Sequence, residues 1–208
     1  MDDNCTSIDA PRSLKNPTAI AARRAMLDRP QIAPLRDYAA WLRAEHLGTV
    51  PEFDPMDGGT NARLLFLMEK PGPMTDDRAR TGKTGSGFIS RDNDDPTAEA
   101  IFNFMRQAGI AREETVLWNV IPWWNGSRKI TPPEMNAGLR QLDALMNLLP
   151  KLTTVIAVGR RAARAKALVE KHRLAFYCSA HPSPINRAAR PKFWSAIPDI
   201  WAEAAARR

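Results

Sequence analysis

Cysteine is nearly absent from this chain: it occurs twice in 208 residues, as Cys5 and Cys178. Two thiols are too few for a four-cysteine iron–sulfur or zinc centre. Cys5 lies in a polar N-terminal stretch and Cys178 ends an apolar run, so no disulfide framework is expected. That pattern fits a reducing, cytoplasmic setting. Long apolar runs are also missing, so no membrane-spanning helix is expected. The first residues lack the apolar centre of a signal peptide. Histidine is scarce, three in all, which makes the place of each one informative. No internal repeat and no long low-complexity tract appears, only an Ala/Arg-rich C-terminal segment.

Positive charge is what the chain does have. It carries 30 Lys and Arg against 23 Asp and Glu, a net +7. Most of the cations are arginine, whose planar fork suits bidentate phosphate contacts better than lysine does. A polyanionic partner, nucleic acid first, is therefore expected. The length suits one α/β domain with a sizeable core. Residues 1–16 read as a polar, mobile tail and residues 17–208 as one domain, expected to be a monomer.

Apolar patterning then orders the elements. Residues 17–28 read as a helix, with Asn16 placed as N-cap and Pro17 in the first turn. Residues 35–47 carry a helical apolar stripe on Leu35, Tyr38, Ala39 and Leu42. Residues 51–59 are turn-rich. The runs 63–68, 115–120, 153–158 and 174–178 read as buried strands. Helices are expected over 96–108, 132–149, 160–172 and 191–206, with Asp95 entering the first of these and Gly109 closing it. Residues 69–95 form a long loop rich in Gly, Asp and Arg, and such loops inside compact domains are usually functional or disordered. Strands alternating with helices imply an α/β/α sandwich around a four-stranded parallel sheet.

In such a sheet the site lies beyond the carboxyl ends of the strands. Three chemically rich segments fall there: Glu69-Lys70-Pro71-Gly72, Asn119 onward, and His181-Pro182-Ser183-Pro184. In the last, two prolines fix φ on either side of Ser183, so the backbone alone can hold an imidazole and a hydroxyl in place. Trp123-Trp124-Asn125 could stack bases or line the core. Gly82-Lys83-Thr84 invites a phosphate-loop reading. That motif needs a glycine where Asp77 stands, a strand directly before and a helix directly after, and all three fail.

The ordered segments resemble the uracil-DNA glycosylase superfamily. Met68-Glu69-Lys70-Pro71-Gly72-Pro73 is similar to its first active-site loop, and Gly87-Phe88 to its base-stacking segment. Trp118-Asn119 resembles its strand-end asparagine, and His181-Pro182-Ser183-Pro184-Ile185 its second catalytic loop. The resemblance covers residues 63–194. It implies a glycosylase that flips uracil out of DNA and leaves an abasic site, with no cofactor and no metal. His181 would stabilise the charge that develops on the pyrimidine O2. Asn119 would read the uracil edge through one amide that both donates and accepts. Phe88 would stack on the extruded base, with Met68 and Gly72 lining its site. Ser183, Arg187 and Arg190 would hold phosphates, and Ile185 would fill the gap left in the duplex.

Two positions depart from the family pattern. The best-known members place Asp where Lys70 stands, and a cation beside a developing sugar cation is repulsive. Lys70 is therefore expected to turn away towards phosphate, leaving Glu69, Asp76 or Asp77 to serve the water. A Schiff-base role for Lys70 is the lesser alternative. Gly72 replaces the tyrosine that, in uracil-restricted relatives, blocks the thymine methyl. Glycine relatives often carry an iron–sulfur cluster, which the cysteine count excludes here. The rival to an enzyme is a DNA-binding protein that holds uracil or abasic sites without turnover.

Overall fold

The computed structural model describes residues 9–45, 48–77 and 84–207. Its strands are β1 (Glu52–Phe53), β2 (Leu64–Met68), β3 (Phe88–Ile89), β4 (Thr115–Asn119), β5 (Thr154–Val158) and β6 (Ala175–Ser179). Its helices are α1 (Pro17–Arg24), α2 (Ala33–Glu45), α3 (Pro96–Gln107), α4 (Pro132–Asn147), α5 (Lys166–Lys171), α6 (Pro184–Ala189), α7 (Pro191–Ser195) and α8 (Ile197–Ala206).

Four strands form one parallel sheet in the order β4-β2-β5-β6. Every residue of β4 and β5 is buried, as are Leu64 to Leu67 of β2. Strands covered on both faces read as unbroken apolar runs, which is why they were visible in the sequence. Register then assigns the layers. Leu67 pairs with Trp118 and Phe66 with Leu117, so Trp118 and Phe66 point to opposite faces. Trp118 stacks on Phe53 at 3.7 Å and meets Tyr38 of α2 at 6.3 Å. The Tyr38 hydroxyl donates to the Gln141 carbonyl of α4 at 2.8 Å. Phe66 meets Trp201 of α8 edge-on at 4.9 Å, and Trp201 meets Phe104 of α3 at 6.0 Å. Hence α2 and α4 cover one face, and α3 and α8 the other. Gly138 permits the close seat of α4: a Cβ there would stand 2.2 Å from the Val120 carbonyl oxygen.

Several elements differ from the sequence reading. Residues 9–16, read as part of a mobile tail, are packed. Leu14 is buried, Arg12 pairs with Glu99, and Asp9 pairs with Arg112. The segment read as one helix over 160–172 is a tight turn at Ala162–Ala165 followed by the short α5. The C-terminal helix is broken at Ala196 between α7 and α8, where Pro198 enters the first turn of a new helix. A small parallel pair, β1 with β3, went unread because each strand has two residues. Trp123 is buried and lines the core, while Trp124 bridges to Thr49. Of Gly82-Lys83-Thr84, the first two lie outside the described residues, as do Cys5 and the end of the second expected helix at His46 and Leu47. Among the described residues no helix is long and apolar enough to cross a membrane.

Behind the sheet edge lies a buried ion network. Arg23 and Arg112 bond Asp54 and Asp92 at 2.5 to 2.9 Å, and Arg112 also meets Asp57 at 3.0 Å. Arg91 adds contacts to Asp57 and to the Thr115 hydroxyl. Ser90 donates to Asp54 at 2.5 Å, which ties the network to the segment that follows β3.

Candidate active site

The carboxyl ends of β2, β4 and β6 deliver residues to one pocket of about 180 Å³. β2 brings Met68 and the loop Glu69 to Gly72, β4 brings Asn119, and the segment after β6 brings His181. Ile89, Ser90, Asn93 and Asp95 form the facing wall. The pocket shares Glu69, Lys70, Pro71, Arg128 and His181 with a wider groove of about 830 Å³. That groove carries Arg160, Arg161 and Arg190, together with Ile185 and Phe193. Ile185 is 78% and Phe193 68% exposed.

Asn119 is buried at the end of β4, and its amide has no hydrogen-bond partner among the described residues. The His181 imidazole likewise has none among them, and it is half-buried. Its backbone is held firmly: the Asn186 amide and the Ser183 N–H both donate to the His181 carbonyl, at 2.9 and 2.8 Å. Burial pushes the imidazole below its ordinary value, and the Arg128 charge adds to that, against Glu69 and Asp95. Neutral imidazole keeps one N–H to donate. Gly159, at φ +99°, brings the ends of β2 and β6 together. A Cβ there would stand 3.0 Å from Glu69 Oε1 and 3.4 Å from His181 Cβ.

The sequence-named residues divide sharply. Met68, Glu69, Gly72, Asn119 and His181 share the pocket. Ile185, Ser183 and Arg190 line the adjoining groove. Ser183 is the N-cap of α6: its hydroxyl oxygen accepts from Asn186 N–H at 3.3 Å, which leaves its own hydrogen to donate.

Four readings are corrected. Phe88 does not face the pocket. Neighbouring strand residues point opposite ways, so Ile89 faces it while the Phe88 ring packs on Leu14 and Ala19. Phe88 lines a separate cavity of about 380 Å³ with Arg24, Leu27 and Arg43. Asp76 accepts from the Thr49 hydroxyl and Asp77 pairs with Arg24, so both acids lie off the pocket. Arg187 sits over the Trp194 ring at 5.1 Å instead of lining the groove. Lys70 directs its ammonium onto protein and not towards a phosphate site. It donates to Asn125 Oδ1 and Glu134 Oε1 at 2.9 Å each and to the Lys129 carbonyl at 3.3 Å.

Asn93, Arg128, Arg160 and Arg161 also line the site, as does Asp95, which the sequence marks only as a helix entry. Asp95 caps α3 through Oδ1, and Asn93 bonds Ser86 and the Phe88 carbonyl, so both brace the wall. The arginines were legible in principle. Gly159-Arg160-Arg161 follows the carboxyl end of β5, the one strand end passed over.

Comparison with curated proteins gives no match. A family description does match: residues 55–204 fit the Uracil DNA glycosylase superfamily. The matched span holds the whole four-stranded sheet and every loop that reaches the pocket. The chain therefore belongs to the uracil DNA glycosylase superfamily, with a uracil-DNA glycosylase-like function at the level of the family.

Proposed function

We propose that this protein removes uracil from DNA by hydrolysing the N-glycosidic bond and leaves an abasic site. One observation carries the reading. Asn119 and His181, two polar side chains without partners among the described residues, converge from separate strands on a small pocket that opens onto an arginine-lined groove.

The groove suits a DNA strand, with Arg160, Arg161 and Arg190 taking phosphates and Ser183 donating its hydroxyl hydrogen. Exposed Ile185 fills the gap beside an extruded nucleotide. The base enters the pocket between Met68, Gly72 and Ile89. Uracil offers an acceptor at O4 beside a donor at N3, which one orientation of the Asn119 amide matches. Cytosine offers the reverse pattern and is refused. As the C1′–N1 bond breaks, its electron pair passes to the base and charge gathers at O2, where the His181 N–H donates. Water adds at C1′ and gives its proton to Glu69, the acid shared by pocket and groove. Lys70, with its ammonium held by three acceptors, is not offered to the sugar, which supports hydrolysis without a covalent intermediate.

Uracil-containing single- and double-stranded oligonucleotides, treated with hot alkali after incubation, test this. The wild-type protein should give scission at uracil. His181→Ala should lower turnover about 10²–10³-fold, and Glu69→Gln about 10²–10⁴-fold, with DNA affinity retained. Full activity in His181→Ala overturns the assignment. Salt-sensitive binding without base release by the wild type would make this a uracil- or abasic-site-binding protein instead.

A further inference from the structure

Resting on the DNA reading above, we infer that Lys70 is a positioning residue that clamps the segment 125–131 over the cleft, so that Arg128 meets the DNA phosphate at the pocket mouth.

Two sets of observations join here. The first concerns Lys70. Its side chain is 4% exposed, and its three acceptors are Asn125 Oδ1, the Lys129 carbonyl and Glu134 Oε1. These flank Arg128 on both sides in sequence. Glu134 is itself fixed, because its other oxygen closes the capping box of α4 with Thr131. Asn125 donates to the same Glu134 Oε1 at 3.0 Å, and Ser127 N–H donates to Asn125 Oδ1 at 3.2 Å. The loop is thus pinned before and after Arg128. A further donor, Arg161 Nη1, reaches the Arg128 carbonyl at 3.4 Å.

The second set concerns where Arg128 ends up. It is exposed, it lines both the pocket and the groove, and no carboxylate among the described residues pairs with it. Its Nη2 stands 3.9 Å from where a Gly72 Cβ would be, so the guanidinium overhangs the pocket wall that glycine leaves low. A base reaching the pocket from a strand in the groove must bring its phosphate past this point. An unpaired guanidinium there offers the fork that phosphate accepts. The ammonium of Lys70, already neutralised by Glu134, adds no such contact of its own. This explains a lysine directly behind Glu69: it serves the loop and not the sugar.

The test is the salt dependence of binding to a fluorescein-labelled duplex bearing a tetrahydrofuran abasic-site analogue, which does not turn over. Each phosphate contact contributes about 0.9 to the slope of log affinity against log salt. Arg128→Ala should lower the slope by about that amount. Lys70→Met should lower it equally, and the double variant no further, because the clamp acts through Arg128. Asn125→Ala, at an exposed position, repeats the clamp test without touching the buried ammonium. An Arg128→Ala slope equal to wild type overturns the phosphate contact. Wild-type slopes in both Lys70→Met and Asn125→Ala overturn the clamp. A double variant that loses about twice as much shows Lys70 meeting phosphate itself, and also overturns the clamp. These outcomes leave the glycosylase reading standing. A wild-type protein with no salt-sensitive binding overturns the DNA reading and this inference with it.

Discussion

At the scale of single residues, the proposed chemistry turns on an imidazole whose protonation burial disfavours. His181 is held below its ordinary value of 6.5, first by burial and then by the Arg128 charge. The sign follows directly. Protonation is disfavoured in the folded protein, so the neutral form persists until the pH falls below that ordinary value. The stability this contributes is fully present above about pH 6.5 and is lost as pH falls through the folded value. Single-turnover rates on uracil DNA should therefore stay level from pH 8 down to about 6.5 and fall only below it. A rate that already declines between pH 8 and 7 would show that His181 charges too easily to be this donor. The same scale shows why Phe88 misled. A glycine followed by an aromatic reads as a stacking segment, but in a strand one step along the chain reverses the face. Ile89, less conspicuous in sequence, is the residue at the pocket. Lys70 was harder still, because its partners lie 55 to 64 positions away.

At the scale of elements, the segment after β6 places His181 in the pocket and Ser183, Ile185 and Arg190 along the groove within ten residues. The sequence suggested a proline-stiffened loop. The protein instead starts a helix there, since Pro184 occupies the first turn and Ser183 caps it. The prolines supply fixed φ, as expected, but the helix supplies Asn186, whose amide reaches back to the His181 carbonyl at 2.9 Å. Asn186 also lines the groove, but its amide is committed to His181, so removing that donor should loosen the imidazole and leave the groove arginines in place. A hydrogen bond of about 1–1.5 kcal/mol corresponds to roughly tenfold in rate. Asn186→Ala should thus lower kcat about tenfold with KM nearly unchanged. Asn186→Asp should fare no better, because an ionised carboxylate cannot donate. Unchanged kcat in both variants would show that the prolines alone hold His181. The strands tell the opposite story: β2, β4 and β5 were plain in the sequence because burial on both faces leaves no polar interruption. β1 and β3, two residues each, hold no periodicity to detect.

At the scale of the whole molecule, the net charge of +7 correctly suggested a polyanion but could not say which arginines would meet it. Arg23, Arg91 and Arg112 are buried among Asp54, Asp57 and Asp92, while Arg128, Arg160, Arg161 and Arg190 face the cleft and groove. Composition counts both sets alike, since only the fold decides which charges leave water. The network reaches the pocket wall through the Ser90 hydroxyl on Asp54. Burial raises the Asp54 carboxyl, but Arg112 and then Arg23 outweigh it and hold the group below its ordinary 3.8. Its contribution to stability is therefore present above that value and is lost as pH falls through the depressed one. Removing Arg112 leaves the buried carboxylates short of countercharge, with only Arg23 and Arg91 to share among them, at a cost of about 3–5 kcal/mol. For a chain of this size, that is a fall in Tm of about 6–20 °C. Arg112→Met should show that fall at neutral pH, because it strips four carboxylates, Asp9, Asp54, Asp57 and Asp92, of a shared partner. The loss should shrink as the pH is lowered, because burial raises Asp57 and Asp92 and the loss of Arg112 removes a charge that holds them down, so they become neutral sooner. Thermal melts of wild type and variant at pH 7 and pH 4 decide it. An Arg112→Met protein that melts within a degree or two of wild type at pH 7 would mean that the network is replaceable packing and that the pocket wall stands without it.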